Sequence, residues 1–137
     1  HLNSYCNSRR NAARFYNKAF ANHPNIITPT TKSNATNNCG GICEICDCHV
    51  FHQYTLQITN GKRDELHKHL LDKESPNAIY YPVALHSQKA YKDSRYNEED
   101  FPVTNQLIKT VISLPMHTEL DDEQLTFITQ TILNFLK

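Results

Sequence analysis

Hydrophobic and polar residues alternate with two different periods along the first part of the chain. From residue 2 to residue 21 the apolar positions recur at intervals of mostly three or four, which predicts an amphipathic helix that ends before Pro24. From Val50 to Thr59 the period is two, which predicts a β-strand with one apolar face. That face consists of Val50, His52, Tyr54, Leu56 and Ile58.

His52 is the exception on the apolar face of this strand. A histidine at such a position is either hydrogen-bonded within the core or reaches out into a cleft, where its ring nitrogens can contact a ligand. The alternation along the strand favours the hydrogen-bonded core histidine.

Further along the chain, helical and extended patterns continue to alternate. Residues 62–73 have a helical stripe formed by Leu66 and Leu70. The stretch Asn77–Tyr91 begins as a short apolar strand that Pro82 interrupts, because proline lacks the N–H that a strand donates to its neighbour. Val111–Leu114 predicts another short buried strand, which ends at a proline.

Two more helices complete the pattern. Asp100 is predicted to cap a short helix with Pro102 at an early position, and Val103, Leu107 and Ile108 are predicted to form its buried side. The run Asp121–Gln124 resembles a capping box at the start of the last helix. The order of elements predicts an α+β fold, with a three-stranded sheet and helices packed mainly on one face.

Composition and charge narrow the class of protein. The chain has 137 residues, enough for one domain with a core. Lys plus Arg and Asp plus Glu each total 14, so no net charge attracts nucleic acid or an anionic membrane. No apolar run approaches the roughly 20 residues that span a bilayer, and no export signal is recognisable, so a cytoplasmic location is expected.

Four of the five cysteines lie close together in the sequence CGGICEICDCH, residues 39–49. The candidate metal ligands are Cys39, Cys43, Cys46 and Cys48, and thiolates at this density suit zinc or an iron–sulfur cluster. Their spacing departs from the paired CxxC arrangement of most zinc sites. A metal-binding knuckle, reduced thiols on a loop and disulfides formed on isolation all remain open.

Candidate binding residues lie where the chain leaves the strand that Pro82 interrupts. Tyr80, Tyr81, His86 and Gln88 bring two phenol hydroxyls, an imidazole and a carboxamide together within a short stretch. These groups can hydrogen-bond and stack on a polar ligand, and loops at strand ends commonly carry binding residues. The alternative is that the tyrosines are half-buried strand residues and His86 is a solvated turn residue.

Three segments, in the same order, resemble the C-terminal part of the DegT/DnrJ family of pyridoxal-phosphate-dependent sugar-nucleotide aminotransferases. They are HVFHQYTLQITNGKRDEL (residues 49–66), YYPVALHSQKAY (residues 80–91) and FPVTNQLIKTVISLPMHTELDDEQ (residues 101–124). The likeness is greatest to members that aminate a 3-keto UDP-sugar uronate. It implies the small C-terminal domain of the fold type I class.

The resemblance assigns parts of the chain to parts of such an enzyme. It implies a linking helix at residues 1–24, a small domain at residues 25–137 and a cysteine-rich insertion at residues 37–48. Tyr80, Tyr81, His86 and Gln88 would contact or border the sugar nucleotide. Relatives often have histidine where this chain has Tyr80, which puts a carboxylate-specific contact from that position in doubt.

The resemblance also implies chemistry that this chain does not carry itself. Transamination requires a lysine bound to the cofactor and an acid beside its pyridinium nitrogen, and neither is recognisable here. The chain starts at His1 inside a helical pattern, so a fragment that is inactive alone is expected, with the catalytic lysine in a larger N-terminal domain. Glutamate as amino donor and a homodimer are further expectations for the full-length enzyme.

Two other functions remain open at this point. The cysteine-rich segment could make the chain a metal-binding module that contacts another protein. Alternatively, the chain could be a regulatory or structural domain that has lost its catalytic partner.

Overall fold

The structure is a computed structural model that describes residues 1–30 and 49–137. The described residues form four α-helices, three short 3-10 helices and one sheet. The α-helices are α1 (Leu2–Ala19), α2 (Arg63–Asp72), α3 (Pro102–Thr110) and α4 (Asp122–Phe135). The strands are β1 (Ile26–Ile27), β2 (Tyr54–Ile58) and β3 (Val111–Leu114). The predicted α+β class is confirmed.

The three strands form an antiparallel sheet in the order β1-β2-β3. In β2 and β3, Tyr54 lies opposite Leu114 and Leu56 lies opposite Ile112. This register brings the start of β2 beside the end of β3, so the chain segments before β2 and after β3 leave the sheet at the same place.

The strand predicted at residues 77–81 is the main correction to the expected sheet. Only Ala78 pairs there, forming an isolated bridge in which its N–H lies 3.1 Å from the Ser113 carbonyl oxygen. Pro76 and Pro82 flank this stretch and lack N–H donors, so a longer ladder cannot form. The third strand is β1 instead, whose two residues are too few to give an alternating pattern.

One hydrophobic core lies between the sheet and three of the helices. Tyr54, Leu56 and Ile58 alternate along β2, and all three side chains are fully buried. The helices α1, α2 and α4 cover this face, with core residues Ala12, Ala13, Tyr16, Phe20, Leu66, Leu70, Leu125, Ile128, Ile132 and Leu136. The predicted helical stripe of α2, formed by Leu66 and Leu70, is therefore buried as expected.

Helix α3 differs from its prediction at its start. Phe101 is its N-cap, whereas Asp100 lies in the preceding 3-10 helix and its carboxylate accepts a 2.8 Å hydrogen bond from the Asn97 backbone N–H. Val103 is 68% exposed, so its predicted burial is wrong. The helix is held at its other end, where the Arg63 guanidinium donates a 2.9 Å hydrogen bond to the Ile108 carbonyl oxygen, and the first turn stays exposed.

Helix α2 ends in a Schellman motif, in which the chain turns back on the last helical carbonyls. The Ser75 N–H donates to the Leu70 carbonyl oxygen and the Glu74 N–H to the Leu71 carbonyl oxygen, both at 2.9 Å. Glu74 has φ 57°, the left-handed conformation that glycine usually provides. This turn directs residues 75–81 across the end of the sheet.

Of the helices that the structure describes, none combines the length and hydrophobicity needed to cross a bilayer.

Candidate functional site

A groove of about 380 Å³ opens at the end of the sheet. We call it the strand-exit groove, and its lining consists of His52, Gln53, Pro76, Asn77, Ala78, Tyr80, Ser113, Leu114, Pro115 and Met116. The lining therefore comes from three segments: residues before β2, the end of β3 with the residues that follow it, and the bridge segment around Ala78. Antiparallel pairing brings these three segments together.

Helix α1 fixes two sides of the strand-exit groove through backbone carbonyls. The Tyr16 hydroxyl donates a 2.9 Å hydrogen bond to the Pro115 carbonyl oxygen, directly after β3. Arg9 Nη1 donates a 3.0 Å hydrogen bond to the carbonyl oxygen of His52. The helix thus holds the backbone on both sides without occupying the side chains that face the groove.

Asn77 orders the third side of the groove. Its amide nitrogen donates to the Ser75 carbonyl oxygen at 3.1 Å, and its side-chain oxygen is hydrogen-bonded to His67 Nδ1 on α2. Because its amide group is already paired on both atoms, Asn77 acts in the fold chiefly as a support for the segment that leads to Tyr80.

Tyr80 and His52 are among the polar residues of the groove whose side chains are available to a ligand. Tyr80 is 47% exposed, and neither its hydroxyl nor the ring nitrogens of His52 have a hydrogen-bond partner among the described residues. Among the residues that the structure describes, the groove lining contains no Asp, Glu, Lys or Arg. A polar or anionic ligand would therefore meet hydrogen-bonding groups without an opposing carboxylate.

The expectation that His52 is a core histidine is wrong, since the residue is exposed and lines the groove. The alternation places it in phase with the buried residues of β2, but the strand begins only at Tyr54. Outside the ladder, the backbone of His52 no longer follows the pleat, and its side chain is not directed into the core.

Tyr81 lies next to Tyr80 but outside the lining of the groove. It is 76% exposed, and the two rings are arranged edge to face with centroids 6.0 Å apart. The peptide bond between them is cis. Tyr81 can approach a ligand only from the rim of the groove.

His86 and Gln88 lie on a separate part of the surface. His86 lines a cavity of about 560 Å³, which we call the loop cavity, together with Leu85, Ala90, Tyr91, Lys92, Asp93, Arg95, Tyr96, Phe101 and Thr104. Gln88 is exposed between two 3-10 helices and lines neither space. The structure therefore brings Tyr80 and Tyr81 together but does not place His86 and Gln88 in the same groove.

An ion pair shapes the electrostatics of the loop cavity. Arg95 Nη2 lies 2.7 Å from Asp93 Oδ2, and the hydrogen bonds from Arg95 hold the pKa of the Asp93 carboxyl below its usual range. The Arg95 guanidinium also stands 5.5 Å from the centre of the Tyr96 ring. The charges of Arg95 and Asp93 offset each other, and Lys92 adds a positive charge to the aromatic lining of this cavity.

Two buried tyrosines in the core are neutral structural groups. Burial raises the pKa of both Tyr16 and Tyr54 above the ordinary tyrosine value. The Tyr54 hydroxyl donates a 2.6 Å hydrogen bond to Asn17 Oδ1, and Tyr16 bonds to the backbone beside the groove. Both hydroxyls are thus used in holding α1 against the sheet.

The predicted metal ligands Cys39, Cys43, Cys46 and Cys48 lie outside the described residues. Within residues 1–30 and 49–137, no group of three or more His, Cys, Asp or Glu side chains is arranged to hold a metal ion. Cys6 on α1 is a free, partly exposed thiol. The cysteine site stays a prediction from spacing.

Sequence reasoning missed two supporting features of the groove. Asn77 and Met116 were recognised only as parts of longer motifs, although both line the groove. Pro115 after β3 marked a strand exit, which is where ligand-contacting loops commonly lie. No local signal showed that residues 52–53 would meet this exit, because that contact depends on the register between β2 and β3.

Curated relatives match parts of this chain. The Pleiotropic regulatory protein of Geobacillus stearothermophilus is 37% identical over 89 residues, which cover 65% of this chain and 23% of that protein. The UDP-N-acetyl-3-dehydro-alpha-D-glucosamine 3-aminotransferase of Acidithiobacillus ferrooxidans is 38% identical over 84 residues, or 61% of this chain and 22% of that enzyme. These matches span about a quarter of either relative's length.

The fold is shared with larger solved structures. The S. venezuelae protein DesV, crystallised in complex with a ketimine intermediate, superposes with a TM-score of 0.84 at 25% identity. The superposition covers 100% of this chain and 33% of DesV. Residues 1–133 match the DegT/DnrJ/EryC1/StrS aminotransferase family. The chain therefore belongs to that aminotransferase family.

Proposed function

We propose that this chain is the small C-terminal domain of a pyridoxal-phosphate-dependent aminotransferase that acts on a keto-sugar nucleotide. The family match over residues 1–133 supports the aminotransferase class. In this proposal residues 1–24 form the linking helix and residues 25–137 the small domain. The domain supplies one wall of the substrate site.

The observation that carries the proposal is the strand-exit groove. Within it the hydroxyl of Tyr80 and the imidazole of His52 are exposed and unpaired in the described part of the chain. Such groups can hydrogen-bond to sugar hydroxyls or phosphate oxygens, while Met116 offers an apolar contact. In this proposal Tyr80 contacts the sugar nucleotide directly and Tyr81 reaches it from the rim.

The described residues do not by themselves fit pyridoxal phosphate. The groove lining has no lysine to bind the cofactor covalently and no carboxylate to face its pyridinium nitrogen. When bound, this cofactor supplies the electron sink for amino transfer. In the proposed enzyme a larger N-terminal domain holds the cofactor. The small C-terminal domain binds and orients the substrate.

The substrate is proposed to be a UDP-linked 3-keto sugar with a uronate carboxylate, as the resemblance implies. The name of the Acidithiobacillus relative supports a 3-keto UDP-sugar. Glutamate as amino donor, a homodimeric full-length enzyme, a cytoplasmic location and a role in surface-polysaccharide or amino-sugar biosynthesis complete the proposal.

The test begins with the gene upstream of the codon for His1, where an in-frame cofactor domain with a family lysine is expected. In the resulting full-length enzyme, Tyr80→Phe removes only the hydroxyl. We expect kcat/KM for the sugar nucleotide to fall by about threefold to tenfold, because one hydrogen bond of about 1 kcal/mol is lost. Steady-state kinetics with UDP-linked 3-keto sugars measure this change.

The matched control is Tyr5→Phe on α1, since Tyr5 is 50% exposed and lies outside the groove, and the substitution keeps the ring that would pack against the larger domain. This control is expected to leave kcat/KM unchanged. Equal kinetics for Tyr80→Phe, Tyr5→Phe and the unmodified enzyme would remove Tyr80 from the substrate site. An open reading frame that starts at His1 would contradict the two-domain proposal.

A second candidate is a metal-binding module built on Cys39, Cys43, Cys46 and Cys48, with zinc or an iron–sulfur cluster bound. The observation that favours it is the density of thiols in that segment. Native mass spectrometry of reduced protein prepared without oxygen tests it. A defined metal stoichiometry that is lost when these cysteines are replaced by serine would support the module, and metal-free protein would exclude it.

A further inference from the structure

His52 lines the strand-exit groove, although its position in the alternating pattern of the sequence predicts a core residue. Its backbone lies two residues before β2, and the register that pairs Tyr54 with Leu114 brings it alongside Met116, beyond the end of β3. The carbonyl oxygen of His52 is fixed by Arg9 at 3.0 Å. The main chain is therefore anchored while the imidazole remains exposed to the groove.

Among the described residues, the charged side chains that contact the segment of His52 are cationic. From α1, Arg9 binds its carbonyl oxygen and Arg10 donates a 3.2 Å hydrogen bond to the His49 carbonyl oxygen. Tyr80 also lines the groove. On the segment that contains His52, His49 Nδ1 accepts a hydrogen bond from the Phe51 N–H. Beyond β3, Glu119 lies 3.8 Å from His117 and outside the groove lining.

A second cavity of about 320 Å³ adjoins His52 on its other side. Its described lining consists of Pro29, Thr30, His49, Phe51, His52, Gln53 and Thr55, and none of these residues has a carboxylate. Neither space that borders the imidazole thus provides an acidic partner within the described residues. A protonated imidazole would donate two N–H groups to a ligand rather than to the protein.

We propose that His52 is a substrate-binding residue that donates, in its protonated form, a hydrogen bond to an anionic oxygen of the sugar nucleotide. This anionic oxygen belongs to the diphosphate or to a uronate carboxylate. The inference rests on the proposed function and deepens it, because it names the chemical group of the substrate that this side of the groove would hold. The donor comes from the segment before β2 rather than from the bridge segment around Ala78.

The experiment uses the full-length enzyme with three substitutions: His52→Gln, His52→Arg and the control His69→Gln. His69 stacks on Phe135 with ring centroids 4.9 Å apart and lies outside the groove lining. Calorimetric titration at about pH 6 and about pH 8 measures binding of UDP-glucose and UDP-glucuronate, which share a diphosphate and differ in the carboxylate. Thermal unfolding of each variant checks that the fold is retained.

The unmodified enzyme is expected to bind more tightly at the lower pH, because a protonated imidazole attracts the anion. His52→Gln should weaken binding about tenfold at the lower pH and remove the pH dependence, whereas His52→Arg should restore binding at both pH values. Weakening for both ligands assigns the contact to the diphosphate. Weakening for UDP-glucuronate alone assigns it to the carboxylate.

Binding by His52→Gln that equals binding by His69→Gln, at both pH values and for both ligands, would overturn the role of His52. If Tyr80→Phe still lowers kcat/KM, that result leaves the proposed function standing. If the unmodified enzyme binds neither UDP-sugar and aminates no UDP-linked 3-keto sugar, the proposed function itself fails. The two failures are therefore distinguishable.

Discussion

The imidazole of His86 is held from two sides. Its ring stacks on Phe101 with centroids 4.3 Å apart, and its Nε2 lies 3.1 Å from Asn105 Oδ1. Asn105 donates through its amide nitrogen to the Glu98 carbonyl oxygen at 2.6 Å, so its side-chain oxygen accepts and His86 donates. His86 thus joins its loop to α3, which leaves Nδ1 as the atom that can meet a ligand.

This arrangement separates a binding role for His86 from a purely structural one. In the full-length enzyme, His86→Ala is expected to lower kcat/KM about fivefold or more, because it removes both the link to α3 and the ligand-facing nitrogen. Asn105→Ala breaks the same link but retains the imidazole, and a smaller loss is expected. Steady-state kinetics that show equal losses for the two variants would assign His86 a structural role alone.

At the scale of elements, the end of α2 and the end of β3 together form the groove. Proline stops β3 at Leu114, and the Schellman turn after α2 brings residues 76–78 beside that end. A single bridge at Ala78 fixes their register. The short extent of this pairing leaves Tyr80 outside the ladder, where its side chain is free to face the groove.

The turn after α2 contains strain that a substitution can relieve. Glu74 adopts φ 57° and adds a negative charge near the carboxyl end of the helix. Glu74→Gly is expected to raise the free energy of unfolding by about 0.5–1 kcal/mol, because glycine adopts this conformation without a Cβ clash. Urea unfolding followed by circular dichroism measures the change.

The control for this substitution is Glu74→Gln, which removes the charge but keeps the Cβ. Its expected gain is a few tenths of a kcal/mol, from the interaction with the helix dipole alone. A gain for Glu74→Gln as large as that for Glu74→Gly would show that charge, rather than backbone conformation, limits stability at this turn.

For the molecule as a whole, the described residues form one hydrophobic core with the strand-exit groove at the end of its sheet. Of the four described α-helices, α1, α2 and α4 contribute buried apolar residues to one cluster and α3 does not. Large side chains such as Leu2 and Tyr5 remain 75% and 50% exposed on α1. In the proposed enzyme this surface packs against the larger domain, so the isolated chain is expected to self-associate to some extent.

Purified residues 1–137 supplied with pyridoxal phosphate and glutamate are expected to show no transfer of nitrogen to a keto-sugar nucleotide. The physical reason is that the groove offers no lysine and no acid for the cofactor. A coupled assay for 2-oxoglutarate, with the full-length enzyme as the positive control, measures this. Activity that depends on one defined lysine of this chain would contradict the proposal that the larger domain supplies the lysine for the cofactor.

Local sequence determined the elements with strong signals. The stripe with Leu66 and Leu70 specified α2, the alternation of Tyr54, Leu56 and Ile58 specified β2, and Asp121 with Gln124 forms the capping box that starts α4. These signals depend on neighbours a few residues apart, so they can be recognised without knowledge of the fold. The motifs that carry the family resemblance likewise lie in continuous stretches.

Only the tertiary structure decided which side chains share the groove. The alternating pattern predicted that His52 is a core residue, yet β2 begins only after it. Where a strand begins depends on the partner strand with which it pairs. His86 and Tyr80 are close in sequence but face different cavities, because His86 binds α3. Contacts between distant segments are set by strand register and helix packing, which local patterns of polarity do not encode.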